Sequence, residues 1–248
     1  MKNKPEIKVR AVTVKGPLHK QKKMPCQDCF KHKLGHNFVA VVSDGAGSAK
    51  YGKTGARIAC ETLTDLLANC DFENIKEGVM HAIGIARDKL MFHRLNKRKN
   101  EYDLGDFAAT LVGVVYKNGQ GVFFHIGDGA GIAFKDNRHH NCVISKPANG
   151  LFSCETFFYT MNDWKRNLRF TSFEDADNVF LMSDGITCFA LDSECSKIAE
   201  SFILPIHDFL STEKLRYKAL RALENTLNNP QAMKINSDDK TLLWAKII

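Results

Sequence analysis

The chain has 248 residues, of which 44% are hydrophobic and 25% are charged, a balance that suits a globular protein with one sizeable core. It has no run of about 18 apolar residues and no apolar segment after its basic start, so we expect neither a membrane span nor a secretory signal. The net charge of +7 suits a phosphorylated or acidic partner, but no long Lys/Arg run points to nucleic acid.

Eight cysteines are scattered without the spacing of a disulfide framework, and no internal repeat or Pro-rich linker divides the chain. We therefore expect reduced thiols and a cytoplasmic location. We also expect a single domain that spans residues 1–248.

Short apolar runs rich in β-branched residues predict strands at Ile7–Val14 and Phe38–Val42. The basic run at residues 19–23 lies between them and is most simply a solvated loop. Two amphipathic helices follow, one from about Thr54 and one over Ile75–Leu90, because apolar residues recur there every three or four positions.

A hairpin comes next, because Asn118-Gly119 separates an apolar run over 107–115 from one over 121–126. Further strands are predicted at residues 131–134, 142–145, 156–160, 179–182 and 241–248, with a helix over 215–227. The segment 202–210 is ambiguous, because Pro205 interrupts it. The two helices are consecutive and no alternating βαβ pattern occurs, which favours antiparallel sheets packed face to face with helices outside.

Aspartates at the ends of predicted strands are the most informative residues. The chain carries such acids at Asp28, Asp44, Asp128, Asp184, Asp238 and Asp239. A single Asp-Gly pair is more often a turn than a ligand. Three Asp-Gly pairs, each after a strongly apolar strand, instead indicate carboxylates gathered at one sheet edge, where they could not all stay ionised without cations.

Carboxylate oxygens are hard ligands that suit Mg²⁺ or Mn²⁺. Two such ions about 3.5–4 Å apart can share a bridging water, lower its pKa and neutralise charge on a phosphoryl group that the water attacks. The pattern therefore predicts a two-metal centre for phosphate-ester hydrolysis.

Five motifs in this order resemble the protein phosphatase 2C family. They are Gln27-Asp28, Asp44–Ser48, Gly127–Gly129, Ser183–Gly185 and Asp238–Thr241. The segments PCQD, DFAATLVG and residues 149–159 resemble in particular a bacterial branch of that family. The resemblance implies an α+β fold of four layers, in which an antiparallel β-sandwich is flanked by helix pairs on both faces.

The resemblance also implies a metal-dependent protein serine/threonine phosphatase. Its cofactors would be two Mn²⁺ or Mg²⁺ ions and a third, weaker ion. Its substrate would be a protein that carries phosphoserine or phosphothreonine, with a cognate kinase as a further partner. Neither nucleic acid nor a membrane is expected as a partner.

The resemblance assigns the metal ligands of the family to individual residues of this chain. They fall on Asp28, Asp44, the Gly45 carbonyl, Asp128, Asp184 and Asp238. Asp44 resembles the aspartate that bridges both metals, and Asp28 the acid that reaches one metal through water. Asp128 resembles the aspartate that helps hold the weaker third ion. Asp239 falls where the family often has Asn and is expected behind the ligands, while Thr110 is expected to have a structural role.

The phosphate-gripping residue departs from the family pattern. The family usually places an Arg five residues before its first metal aspartate, and Lys23 stands there in this chain. A lysine is a point charge and cannot make the bidentate fork of Arg. His19 is the alternative at this position, and it is also our candidate for the general acid.

A variable flap that tunes substrate choice in the family falls near residues 138–170. Trp164, Lys165 and Arg166 there are candidates for substrate contact, although an ordinary surface loop is the simpler explanation.

Three other functions compete with the phosphatase hypothesis. Gly47–Thr54 matches the P-loop pattern G-x-x-x-x-G-K-[ST], but four residues separate its first Gly from the strand and no βαβ repeat follows. Cys26, Cys29, His32 and His36 have zinc-like spacing but lack a second Cys pair. A catalytically inactive family member acting as a binding module is disfavoured, because every metal aspartate is present.

Overall fold

Two five-stranded antiparallel sheets form the centre of the protein, in a computed structural model that describes residues 6–95, 103–136, 138–148 and 156–248. Sheet I contains β1 (Ile7–Val14), β6 (Ala130–Phe134), β7 (Val143–Ser145), β9 (Asn178–Met182) and β10 (Lys240–Ile247). Sheet II contains β2 (Cys29–Leu34), β3 (Phe38–Ser43), β4 (Leu111–Lys117), β5 (Gln120–Ile126) and β8 (Arg169–Glu174). The strand orders are β1-β10-β9-β6-β7 and β2-β3-β4-β5-β8.

Helices cover the outer face of each sheet. They are α1 (Pro17–Gln21), α2 (Gly52–Leu67), α3 (Ile75–Leu95), α4 (Trp164–Asn167), α5 (Asp184–Ala190), α6 (Glu200–Thr212), α7 (Arg216–Leu227) and α8 (Pro230–Ile235). Short 3₁₀ turns lie at Leu104–Phe107 and His139–Asn141. Within the described ranges, none of the helices has the length and apolar character that a membrane crossing requires.

Strand alternation explains the layering. On β3, Val39 and Val41 pack into the core that sheet II shares with α2 and α3, whereas Ala40 and Val42 face sheet I. On β10, Trp244 packs beneath α5, α6 and α7. Both faces of these central strands are therefore buried, and the order of layers is helix, sheet, sheet, helix. The predicted four-layer α+β fold is confirmed.

Several predicted elements are confirmed in detail. The strand over Ile7–Val14 has the predicted bounds. The hairpin joins β4 to β5, and its turn residues Asn118 and Gly119 have φ values of 50° and 90°. Positive φ at both positions is what a tight two-residue hairpin requires, and Asn-Gly adopts it readily.

Other predictions are wrong. Residues 156–160 form a turn with one isolated bridge, and the backbone of Tyr159 instead donates to the Ala109 carbonyl. The ambiguous segment 202–210 lies in α6, where Ile203, Ile206 and Leu210 are buried at helical spacing despite Pro205. The basic run at 19–23 is not a simple solvated loop, because α1 occupies its first half and His19 is only 4% exposed.

Part of the predicted flap, residues 149–155, lies outside the described residues, and with it most of the 149–159 stretch. The described part contains β7 and α4. Trp164 is buried beneath sheet II, with the Arg87 guanidinium 6.0 Å and the Lys165 ammonium 5.8 Å from its ring centre. Trp164 therefore acts as a core residue, which corrects its candidacy for substrate contact.

Candidate active site

The predicted acids meet at one end of the sandwich, because the strands that carry them start or finish there. Asp28 precedes β2 and Asp44 follows β3, and the paired residues Cys29 and Ser43 hold these two acids side by side. Pairing of Leu242 with Met182 brings Asp184 beside the segment that precedes β10. A carboxylate cluster at one sheet edge is thus present in the fold.

Asp28 connects the two sheets. Its Oδ2 accepts hydrogen bonds from the hydroxyls of Ser183 and Thr241, both at 2.7 Å. Ser183 Oγ also accepts from the Thr241 amide at 2.9 Å. Asp28 Oδ1 is buried and has no hydrogen-bond partner among the described residues. One carboxylate oxygen is therefore held rigidly while the other is left for a further ligand.

Asp44 is held through its backbone. Its amide donates to Thr110 Oγ1 at 3.1 Å, and its carbonyl accepts from the Thr110 amide at 2.8 Å. Thr110 thus has the structural role expected of it. Gly45 pairs with Ala109 and donates its amide to the Gln27 carbonyl at 3.3 Å. Because the N–H and C=O of an extended residue point to the same side, the Gly45 carbonyl faces the segment that carries Asp28.

Asp184 is the first residue of α5, and its Oδ1 is buried without a hydrogen-bond partner among the described residues. The next residue, Gly185, lies against the loop before β10, since a Cβ there would stand 2.0 Å from the Asp239 carbonyl oxygen. Only glycine permits this approach, which sets Asp184 beside Asp238.

Asp128 lies at the edge of the cluster. It follows β5 after Gly127, whose φ of 116° turns the chain out of the strand. Thr156 donates to Asp128 Oδ2 at 2.6 Å. The side chain is half-buried, which suits the more weakly held ion that the resemblance assigns to it.

Asp239 organises the segments behind the ligands. Its carboxylate accepts from the Gly16 amide and the Gln27 amide, each at 2.7 Å, and from His19 Nδ1 at 2.8 Å. Burial opposes the charge of Asp239, but these hydrogen bonds outweigh it and lower its pKa. Asp239 is therefore the anion that fixes α1 and the Gln27-Asp28 segment against the loop before β10.

His19 is placed by that contact. Since Asp239 accepts at Nδ1, the other ring nitrogen, Nε2, is directed toward the Asp44–Ser48 loop, where it would lie 3.8 Å from a Cβ on Gly47. Lys23 has a different setting, because it is exposed and follows α1 with a φ of 54°. The structure thus brings His19 to the cluster and leaves the Lys23 side chain exposed to solvent.

Lys240 fixes the backbone of the loop that carries Asp238. Its ammonium is fully buried and donates to the carbonyls of Asn236 at 2.6 Å and Asp238 at 3.0 Å. The Asp238 carboxylate accepts from the Asp239 amide at 2.8 Å through Oδ1. The Lys of the Asp238–Thr241 motif therefore shapes the loop that presents Asp238, a role that the sequence analysis missed.

Burial and mutual repulsion raise the pKa of the clustered acids. Burial raises the pKa of Asp28 to about 6. Burial, followed by the charges of Asp128 and Asp238, raises that of Asp184 to about 8. Burial and the neighbouring Asp28 and Asp184 raise the pKa of Asp44 well above its usual value. These carboxyls are thus poised to exchange protons for cations.

The donor set fits hard divalent cations. It consists of carboxylate oxygens and one carbonyl, and it includes the buried oxygens of Asp28 and Asp184 that have no hydrogen-bond partner among the described residues. A separate group, His19, Asp238 and Asp239, has ligand atoms within 4.8 Å of one another among the described residues. Since His19 and Asp239 already bond each other, that group is a hydrogen-bonded pair beside a ligand.

The zinc and P-loop hypotheses do not fit this geometry. Cys29 and His32 are three residues apart on β2, so their side chains point to opposite faces. In the P-loop pattern, the amides of Ala49, Tyr51 and Gly52 donate to the carbonyls of Ala46, Asp106 and Ala49. They are therefore not free to hold a phosphate.

The family model described as Protein phosphatase 2C matches residues 15–228, which is most of the chain. The chain belongs to the protein phosphatase 2C family. It is thus a metal-dependent protein serine/threonine phosphatase, and neither an NTPase nor a binding module is supported. No curated protein sequence matches it.

Solved structures share the fold at low identity. The serine/threonine phosphatase Stp1 from Staphylococcus aureus is 14% identical, with a TM-score of 0.66, over 98% of this chain and 96% of that one. The S. agalactiae serine/threonine phosphatase is 14% identical, with a TM-score of 0.68, over 98% of this chain and 100% of that one. The catalytic domain of PstP, solved with two manganese ions, is 13% identical, with a TM-score of 0.62, over 99% and 100%.

Proposed function

We propose that this phosphatase hydrolyses phosphoserine and phosphothreonine in proteins at the carboxylate cluster, with two Mn²⁺ or Mg²⁺ ions and a third, weaker one. The observation that carries the proposal is the pair of buried, unpartnered oxygens on Asp28 and Asp184 beside the raised pKa of Asp44. Such oxygens are destabilising unless a cation is bound between them. The two manganese ions named for the PstP structure favour the same type of ion.

The ligands of the ions would be the set carried over from the family. They are Asp28, Asp44, the Gly45 carbonyl, Asp184 and Asp238, with Asp128 for the third ion. When bound, the ions would lower the pKa of a water and neutralise charge on the phosphoryl group. The chain itself supplies rigidity, because Thr110, Thr241, Ser183 and Lys240 fix the ligands by hydrogen bonds before substrate arrives.

His19 and Lys23 would act on the substrate in different ways. His19 is buried, held by Asp239 and directed at the Asp44–Ser48 loop, which suits proton donation to the leaving serine or threonine oxygen. Lys23 is exposed to solvent, which suits attraction of a phosphoryl group by charge alone. The net charge of +7 favours phosphorylated substrates generally.

The wider setting of the enzyme is also part of the proposal. We expect a single catalytic domain over 1–248, with residues 138–170 near the site adjusting substrate choice. The proposed location is the cytoplasm of a bacterium, where a cognate kinase would produce its substrates. Scattered cysteines in the thiol form support that location.

The deciding experiment compares four substrates: an aryl phosphate, a phosphothreonine peptide, a phosphoserine peptide and ATP. Each is assayed with Mn²⁺, with Mg²⁺ and with chelator. We expect peptide turnover that needs either ion and stops with chelator. Turnover that persists in chelator, or consumption of ATP alone, would contradict the proposal.

A further inference from the structure

A basic cleft of about 600 Å³ lies between the edge strands of the two sheets, β1 and β2, and the start of α7. Its charged lining consists of Glu6, Lys8, Arg10, Lys33, Lys214 and Arg216. Five of these are cations and one is a carboxylate. A cleft with this balance has a positive potential that attracts anions.

Two of the cations are already engaged by the protein. Lys8 donates to the carbonyls of Leu210, Ser211 and Glu213 at the end of α6, and Lys33 pairs with Asp65 at 2.8 Å. No described carboxylate lies within ion-pair distance of Arg10, Lys214 or Arg216. Lys8 therefore keeps its charge but has its donors occupied, whereas Arg10, Lys214 and Arg216 have no carboxylate partner among the described residues.

Arg10 is unusual among them because it is 8% exposed and yet unpaired. Its Nη1 donates to the Val9 carbonyl at 2.9 Å, and its Nε is buried with no partner among the described residues. A buried N–H without an acceptor destabilises the fold. A ligand oxygen in the cleft would satisfy it.

Arg216 places a second guanidinium in the cleft, next to the N-terminus of a helix. It is exposed and is the first residue of α7. Its Nη1 donates a long hydrogen bond of 3.5 Å to the Val9 carbonyl. That 12-residue helix has no acid in its first turn and no side-chain cap. Its N-terminal amides therefore add positive potential at the same place.

The cations also disfavour one another. Burial and then the charge of Arg216 lower the pKa of Arg10, and the same two causes lower that of His32 on β2. Glu6 is exposed and Glu213 is half-buried, and neither pairs with Arg10 or Arg216. A bound dianion would relieve this repulsion, and guanidinium groups match phosphoryl oxygens in a bidentate manner.

We propose that the cleft around Arg10 and Arg216 is a second anion site that binds a phosphoryl group without hydrolysing it. The site is remote from the carboxylate cluster. Asp28 precedes Cys29 at one end of β2, whereas the cleft is lined by His32, Lys33 and Leu34 at the other, so four to six residue steps at about 3.3 Å separate them by roughly 13–20 Å. The acids at the sheet edge thus take no part in it.

The test follows the Arg10 side-chain Nε–H resonance by ¹H–¹⁵N NMR in the full-length, Mg²⁺-loaded protein. The probes are inorganic phosphate, a peptide with a non-hydrolysable phosphonate isostere of phosphoserine, and the matching serine peptide. We expect saturable shifts with the first two and none with the third. Equal affinity for inorganic phosphate and the phosphonate peptide would identify the phosphoryl group alone as the ligand. Tighter binding of the peptide would identify a phosphorylated side chain as the ligand.

Three variants complete the test. Arg10→Met, followed through backbone amide resonances of β1 because it lacks the Nε–H group, and Arg216→Met should each weaken binding about tenfold, the loss of one charge-assisted hydrogen bond. Arg221→Met is the matched control, because Arg221 is an exposed arginine of α7 outside the cleft. Since Arg216 is exposed, its variant is informative even if Arg10→Met fails to fold.

Two results would overturn the proposal. One is an Arg10 Nε–H resonance that stays fixed while other resonances titrate. The other is equal weakening by Arg221→Met and Arg216→Met, which would mean diffuse surface charge. Because binding rather than turnover is measured, neither result depends on the outcome of the phosphatase assay.

Discussion

Asp44 is surrounded by other acids on the side where its own carboxylate would bridge two ions. Its pKa is raised by burial and by the charges of Asp28 and Asp184. The side chain therefore contributes little to stability as an anion, which agrees with the proposal that it binds cations.

We expect Asp44→Asn to lower kcat/KM for a phosphothreonine peptide by about a thousandfold or more, because a neutral amide cannot bridge two cations. Urea unfolding of the metal-free variant should show equal or greater stability. The matched control is Asp65→Asn, since Asp65 forms only exposed ion pairs with Lys31 and Lys33. Retained activity in Asp44→Asn would exclude the metal assignment.

His19 and Lys23 can be distinguished kinetically. Lys23→Met should raise KM about tenfold with kcat nearly unchanged, because an exposed point charge binds substrate and transition state alike. His19→Gln should lower kcat with KM nearly unchanged, as expected on loss of a general acid. Lys22→Met is the control, because Lys22 is an equally exposed neighbour. An effect of Lys22→Met equal to that of Lys23→Met would show that general surface charge is responsible.

At the scale of elements, α5 is positioned by contact between two backbones. Gly185 allows the start of α5 to touch the loop before β10, where a Cβ would meet the Asp239 carbonyl oxygen at 2.0 Å. The same loop is held by Lys240 and by Asp239. The geometry of Asp184 relative to Asp238 therefore depends on this packing.

Gly185→Ala should reduce turnover at least tenfold and raise the Mn²⁺ concentration needed for half-maximal activity, because α5 must move away from the loop. Overpacking should also destabilise the fold by about 1–3 kcal/mol, measured by urea unfolding. Gly84→Ala on α3 is the control, because no atom lies within 4 Å of its Cβ position. It should leave activity unchanged and increase stability by up to about 1 kcal/mol. Normal metal dependence in Gly185→Ala would contradict this account of α5.

For the whole molecule, the raised pKa values predict a pH-dependent stability. Asp28 and Asp184, with pKa values of about 6 and about 8, hold protons in the folded metal-free protein that an unfolded carboxyl releases near pH 4. The folded state then binds more protons than the unfolded state, so the free energy of unfolding falls as pH rises. Buried His125, whose pKa is well below its usual value, has the opposite effect below about pH 6.5.

In the metal-free protein we therefore expect Tm to fall between about pH 6.5 and pH 8, where the histidine contribution has ended. Asp184→Asn should flatten this decline, and Mn²⁺ should reverse it in the unmodified protein. Asp192→Asn is the control, because hydrogen bonds from the amides of Ser196 and Lys197 lower the pKa of that exposed carboxylate. A Tm that is independent of pH above 6.5 would mean that the acids are not destabilised.

The sequence by itself determined most of the central strands and drew attention to the acids at their ends. Apolar runs with β-branched residues and one Asn-Gly turn specify β1, β3 and the β4–β5 hairpin, because these signals act within a few residues. The motif order pointed to the family and to the aspartates at strand ends. The sequence could not reveal β2 and β8, because their outward residues are polar or charged and they therefore contain no continuous apolar run.

Only the tertiary structure decided how the acids are held and what lies beside them. Asp239 binds His19 across 220 residues, and Asp28 binds Thr241 across 213, so no local pattern could pair them. The same holds for the cleft, which joins β1, β2 and α7 and places Arg10 beside Arg216. Local periodicity reports which residues are buried, whereas partners distant in sequence are fixed only when both sheets pack together.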